Sequence, residues 1–195
     1  CNAYSQMEGK TPVYCTTSGY TTPIKNSQDG SYGSSINTTA GSFDNPYVNW
    51  TATGYRLPTE GQWQYASSYK DGSNWTPYNY ASGATAAYTD TPATGLVAWY
   101  YSNSGYGTKA VGTKGANVLG IYDMSGNVWE WCWDWYGTLP TTAQNNYRGP
   151  ASGSSRILRG GSYDGSAGYL RVGFRDSHGP YSESSSYGFR LCLPQ

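Results

Sequence analysis

Residues 120–136 read "GIYDMSGNVWEWCWDWY". A Ser-Gly-Asn turn at 125–127 is followed by alternating large residues, among them Trp129, Trp131 and Trp133, which read as core. Glu130 and Asp134 lie between the tryptophans, and two carboxylates this close invite an acid/base reading. The simpler reading makes them acceptors for buried backbone and indole N–H groups, because buried donors need partners.

Outward from this stretch, "RLPTEGQWQYASSYKDG" (56–72) carries the clearest helix start. Thr59 can cap the helix, Gln62 stands at the reciprocal capping-box position, and Trp63, Ala66 and Tyr69 recur at threes to give one buried face. "CNAYSQMEGKTPVY" (1–14) reads as a helix stopped near Gly9 and a short strand at Pro12–Tyr14. "RILRGG" (156–161) and "YGFRLC" (187–192) read as short strands. Residues 16–54 and 71–117 read as loop, the second too long to be idle connection and so packed by its own aromatics. The pattern is one mixed α+β domain with sparse regular structure.

The composition fits that picture. Twelve basic residues balance twelve acidic ones among 195, so no basic stripe offers a nucleic-acid groove. Charged residues are only 12%, and 21 Tyr, 26 Gly and 8 Trp take their place, which describes a loop-rich domain with large, rigid contact groups rather than disorder. No apolar run reaches a membrane span and no signal peptide is visible. The Asn-x-Ser/Thr matches at Asn37, Asn49 and Asn74 are the chance yield of a chain rich in Asn and Thr. The four cysteines (Cys1, Cys15, Cys132, Cys192) form no C-x-x-C pair and the one histidine is His178, so no zinc site is expected. Cys132 and Cys192 read as buried free thiols, with a disulfide as the alternative.

"YRLPTEGQWQYAS", "GIYDMSGNVWEWCWDWY", "RILRGGSY" and "GFRLC", in that order, resemble the formylglycine-generating-enzyme (sulfatase-modifying) family over nearly the whole chain. The resemblance implies a C-type-lectin-like fold: short sheets, few helices and long packed loops. It also places "CNAYSQMEGKTPVY" inside the domain. Residues 1–195 are thus expected to form a single domain lacking its N-terminal strand region, with Cys1 internal. A rival reading makes Cys1 the lipid-modified first residue of a bacterial lipoprotein. The family's chemistry implies copper held by two thiolates. The resemblance puts those positions at Gly165 and Leu170, neither of which binds a metal, and Cys132 and Cys192 lie in other motifs. No catalytic residue and no cofactor are expected. Asp176, Ser177 and His178 are consecutive and cannot easily converge as a triad. Family members can hold Ca2+ near the "GNVWE" turn, where Asn127 and Glu130 offer two side chains toward the six or more oxygens required.

The stretch from 159 to 192, "RGGSYDGSAGYLRVGFRDSHGPYSESSSYGFRLC", interleaves two texts. Leu170, Val172, Phe174, Phe189 and Leu191 are a stiff apolar set expected to point inward. The other text, read as the candidate site, is Tyr163, Asp164, Gly165, Ser166, Tyr169, Asp176, Ser177, His178, Gly179, Tyr181, Ser182, Ser184, Ser185, Ser186 and Tyr187, set among scaffold residues such as Ala167, Arg171, Arg175, Pro180 and Glu183. Changing only the adenines of an Asn codon yields Tyr, Ser, Asp, Gly and His among others, and Asn is absent from 163–187 although it occurs 12 times elsewhere. Glu183 departs from the pattern, since a Lys codon is its nearer source. This resembles the variable region of diversity-generating retroelement proteins, which implies a candidate ligand-binding region at 163–187 on a constant scaffold. Tyr with Ser and Gly is also the chemistry of antibody paratopes. The resulting expectation is a non-enzymatic binding module at a bacterial cell surface or outside the cell. Its partner would be an unidentified protein or other macromolecule, with no nucleic acid and no transmembrane segment. The alternative is a non-catalytic or divergent family member with a structural or regulatory role.

Overall fold

Thr59 caps a helix as its sequence demands. In the computed structural model, which describes residues 1–25 and 35–194, its Oγ1 accepts from the Gln62 N–H at 3.2 Å and Gln62 Oε1 accepts from the Thr59 N–H at 3.0 Å. In chain order the elements are α1 (Asn2–Met7), β1 (Tyr14–Cys15), β2 (Tyr47–Val48), α2 (Glu60–Ser68), α3 (Thr91–Val97), α4 (Tyr101–Ser104), β3 (Trp129–Trp135), β4 (Arg156–Arg159), a 3-10 turn (Ala167–Leu170), β5 (Asp176–His178) and β6 (Tyr187–Gly188). The first strand is thus later than its expected place at Pro12–Tyr14. It pairs antiparallel with β2, a strand inside the stretch expected to be loop. The 71–117 stretch carries two short helices, α3 opening on the Asp90 side chain as cap to the Ala93 N–H. The buried face of α2 runs through Trp63 and Ser67, with Ala66 only partly covered, because the helix ends at Ser68 and Tyr69 has already left it.

The main sheet has the order β5-β4-β3-β6. β4 is antiparallel to β3 and to β5, and β6 runs parallel to β3 with Tyr187 beside Trp129. Alternation along β3 divides its side chains between two jobs. Cys132 joins Trp63, Met124 and Ile157 in a core cluster beneath α2. Glu130 Oε2 accepts from the Trp63 indole Nε1 at 2.7 Å, and Asp134 Oδ2 accepts from the Glu60 N–H at 2.7 Å. Both carboxylates are therefore acceptors for buried N–H groups, and Glu130 also pairs with Arg190. The tryptophans meet other groups. Trp129 is buried against Tyr169 and Phe174, whereas Trp131 and Trp133 are only half-buried, which corrects their assignment to the core.

Two further clusters complete the interior: Val13, Val48 and Ala52 around the small sheet, and Ala81, Val97, Ala98, Tyr100 and Leu170 under the 3-10 turn. The Ser-Gly-Asn turn sits against the second of these, with Ser125 Oγ donating to the Leu170 carbonyl at 2.7 Å. Gly126 has φ +83°, and a Cβ there would fall 2.2 Å from the Trp99 carbonyl oxygen, so only glycine fits. All four cysteines are free; Cys15 and Cys132 are buried, and the half-buried Cys192 Sγ accepts from Arg56 Nη1 at 3.0 Å.

The two kinds of tryptophan separate in a urea titration. Trp63→Ala deletes a fully buried indole and its bond to Glu130 and is expected to cost about 3–5 kcal/mol. Trp131→Ala is expected to cost about 1–2 kcal/mol. Equal losses would show that Trp131 belongs to the core after all.

Burial pushes the Asp134 carboxyl up to about 6 against the Glu60 N–H bond that favours its charged form. The folded protein then holds this proton more tightly than the unfolded chain does. The stabilisation it gives is complete below the ordinary value of 3.8 and is lost as pH rises through about 6. Asp134→Asn keeps an acceptor for the Glu60 N–H and carries no such penalty. Relative to the parent it should gain about 2–3 kcal/mol between pH 4 and pH 7. Denaturant titrations at the two pH values check this, and a pH-independent difference would show an ordinary carboxyl.

Candidate functional site

The segment from Arg159 to Cys192 is pinned by its own fixed residues. Leu170 and Val172 are fully buried. Arg159 is 1% exposed, donates to the Phe174 and Val172 carbonyls and to Gln64 Oε1, and lies 3.7 Å from Glu60 Oε1. Arg175 grips Glu60 through both carboxylate oxygens at 2.6 and 2.8 Å and reaches the Gly137 carbonyl. Arg190 grips Glu130 in the same way at 2.5 and 2.6 Å. Gly161, at φ +74°, turns the chain out of β4, and a Cβ there would lie 2.9 Å from Leu170 Cδ2. The start, middle and end of the segment are thus tied to the scaffold by groups outside the candidate set.

Between these ties the candidate residues come mostly to the surface. Asp164, Ser166, Tyr169, His178, Tyr181, Ser184 and Ser185 are exposed; Tyr163, Gly165, Asp176, Ser177, Gly179, Ser182 and Tyr187 are half-buried. Contacts join distant parts of the segment. Tyr163 Oη lies 3.1 Å from Ser185 Oγ, and the His178 and Tyr187 rings are 5.3 Å apart. Tyr187 rests edge-on against Trp131, and Tyr169 packs on Phe174 at 5.0 Å. Burial raises the Tyr187 hydroxyl pKa, and the Asp176 and Asp164 carboxylates add to the rise, so these groups share one electrostatic neighbourhood.

Two expectations about this segment fail. Ser186 is buried, not surface-facing: its carbonyl accepts from the Trp129 N–H at 2.8 Å and docks the loop onto β3. Phe189 is 60% exposed and Leu191 half-buried. β6 ends at Gly188, and turning Arg190 inward to Glu130 sends its neighbour Phe189 outward. Phe174 is half-buried between Trp129 and Tyr169.

The structure adds fixed groups that sequence reasoning did not single out. The Tyr101 N–H donates to the Gly165 carbonyl at 3.0 Å, and Ser104 Oγ donates to the Tyr163 carbonyl at 2.8 Å. The short helix α4 therefore buttresses the first candidate loop, and its Tyr101 stands exposed with Tyr106, their rings at 5.3 Å. The aromatic richness of 71–117 was the available signal, but not its position.

The thiolate pair that the family's copper chemistry requires does not fit these residues. Leu170 is fully buried in apolar surroundings, and Gly165 has no side chain. The Cys132 thiol lies beneath α2, where burial raises its pKa well above the ordinary value. At the "GNVWE" turn, Asn127 exchanges hydrogen bonds with the Lys109 backbone and Glu130 is taken up by Trp63 and Arg190. Among the described residues no group of three or more His, Cys, Asp or Glu is placed to hold a metal ion.

Several known proteins resemble this chain. Chaperone protein LppX of Paenibacillus barcinonensis is 33% identical over 165 residues, 76% of this chain and 51% of its own length. The formylglycine-generating enzyme of Streptomyces coelicolor is 34% identical over 164 residues, 74% of this chain and 48% of its own. The chain therefore spans about half the length of these curated relatives. Among solved structures, Treponema denticola variable protein 1 superposes with a TM-score of 0.80 at 35% identity, covering 100% of this chain and 66% of that one. The sulfatase-modifying factor enzyme 1-like domain matches residues 3–194. With a C-type-lectin-like α+β fold of the formylglycine-generating-enzyme type, the chain belongs to the sulfatase-modifying factor enzyme 1-like family.

Proposed function

We propose that this chain is a non-enzymatic binding module that displays a diversified ligand site, residues 163–187, on a constant scaffold outside the cell. The supporting observation is the division of labour within one segment. Its arginines and its buried Leu170 and Val172 hold the backbone, while positions of the Tyr/Ser/Gly/Asp/His set face solvent and meet across 22 residues at Tyr163 and Ser185. A site can be rewritten only where its side chains contribute little to folding, and exposed substitutions usually cost within about 0.5 kcal/mol. Likeness to a Treponema denticola variable protein supports the same reading. The ligand is a protein or other macromolecule contacted by rigid tyrosines (Tyr163, Tyr169, Tyr181) with adaptable serines between them.

The genomic test is direct: codons for 159–192 should recur as a near-copy beside a reverse-transcriptase gene, differing only at adenines. A locus without such a copy overturns the diversification. In the protein, changing Asp164, Ser166, Tyr169, His178, Tyr181, Ser184 and Ser185 together to Asn should leave Tm nearly unchanged and abolish capture of the ligand. Melting far below the parent would make these residues structural.

The absence of the thiol pair gives a further expectation. Purified protein supplied with copper and a cysteine-containing sulfatase-type peptide should form no aldehyde by mass spectrometry. Formation above background would restore the enzymatic reading.

A further inference from the structure

Beside the candidate variable surface lies a cavity of about 300 Å³ whose described lining residues lie outside the candidate set, among them Tyr14, Phe43, Leu57, Trp131, Trp133 and Pro180. Tyr14 and Trp133 stack at 5.5 Å, so two of its aromatic lining residues brace one another. The cavity is contiguous with the diversified set. Pro180 stands between Gly179 and Tyr181, Tyr187 packs on Trp131, and Arg156 in the wall is the strand partner of His178.

Among the described residues two charged side chains line the cavity, and both are engaged. Arg156 donates to the carbonyls of Trp133 and Asp44, and its guanidinium lies 4.3 Å and 3.5 Å from the ring centroids of Trp133 and Trp135. The Asp44 carboxylate accepts from the Asn37 N–H at 2.8 Å. An entering ammonium would meet the Arg156 charge beside an Asp44 carboxylate already bonded to the Asn37 N–H, and an entering carboxylate would meet a guanidinium already hydrogen-bonded. A flat apolar group needs no hydrogen-bond partner on entering and is covered by largely aromatic and aliphatic walls.

We propose that this cavity is a constant anchoring subsite that takes an aromatic side chain of the protein ligand while the variable residues read the surface around it. This rests on the binding reading above and adds what that reading lacks: one feature shared by ligands of differently diversified copies. Central apolar pockets filled by an aromatic anchor and rimmed by polar contacts are the usual seat of binding energy at interfaces.

The probe is N-acetyl-tryptophanamide, titrated into the intact chain and followed by NMR of the indole N–H signals. Saturable binding is expected with Kd of about 1 mM, the strength typical of a fragment of this size. N-acetyl-lysinamide and N-acetyl-aspartamide should bind at least tenfold more weakly. Ile24→Arg, which brings a charge to the half-buried cavity edge, should abolish binding with Tm close to that of the parent. The seven-position Asn variant should keep it. No saturable binding by the aromatic probe, equal binding of the lysine probe, or loss in the seven-position variant with retention in Ile24→Arg would each overturn the subsite. Should Ile24→Arg fail to fold, the comparison of the three probes on the parent decides. Failure of the diversified-site reading shows instead in the codon comparison and in ligand capture, which the small probe does not touch.

Discussion

Glu60 and Glu130 are carboxylates with side chains only 8% exposed, and the C-terminal segment is organised around them. Glu60 meets Arg175 in a bidentate pair with Arg159 behind it; Glu130 meets Arg190 and the indole of Trp63. Charges this deep are expensive to desolvate, so their contribution lies less in net stability than in the penalty for leaving one unpaired, about 3–5 kcal/mol. That penalty fixes register. A segment dominated by Tyr, Ser and Gly has little apolar side-chain pattern to choose its own path, and three arginines at its start, middle and end choose it instead.

Much of this was legible in the chain. The capping box at Thr59 and Gln62, the inward Leu170 and Val172, and the role of Glu130 and Asp134 as acceptors follow from short-range patterns, and the structure bears each of them out. What was not legible depended on tertiary partners. Phe189 looks like a core residue in "YGFRLC", but the need of Arg190 for Glu130, 60 positions earlier, decides which neighbour faces out. Ser186 looks like one more loop serine, yet its carbonyl is the acceptor that β3 needs for the Trp129 N–H. Composition could not separate it from Ser184 and Ser185, because the distinguishing group is on the backbone.

The tryptophans of β3 show the same limit from the other side. Alternation marked large residues there, but hydrophobicity alone does not say which face is closed. The helix α2 covers the face of Cys132, Glu130 and Asp134, whereas Trp131 and Trp133 are left half-buried at the edge of a cavity. The β3–β4 register shifts between Trp131 and Trp135, and strand irregularities gather where side chains must be re-aimed.

These features together separate two demands that usually conflict. A binding surface needs exposed aromatic area, while a fold needs that area buried. Here the fold draws on Trp63, Met124, Ile157, Leu170 and Val172, none of which belongs to the Tyr/Ser/Gly/Asp/His set. The proposed binding surface draws on tyrosines whose backbone is held by arginines, by α4 through Tyr101 and Ser104, and by the Trp129–Ser186 hydrogen bond. Of the backbone groups used, those of Tyr163, Gly165 and Ser186 lie on candidate variable residues, and all three contribute a carbonyl. A carbonyl is present whatever side chain the position carries, so these ties survive any rewriting of the residue that bears them.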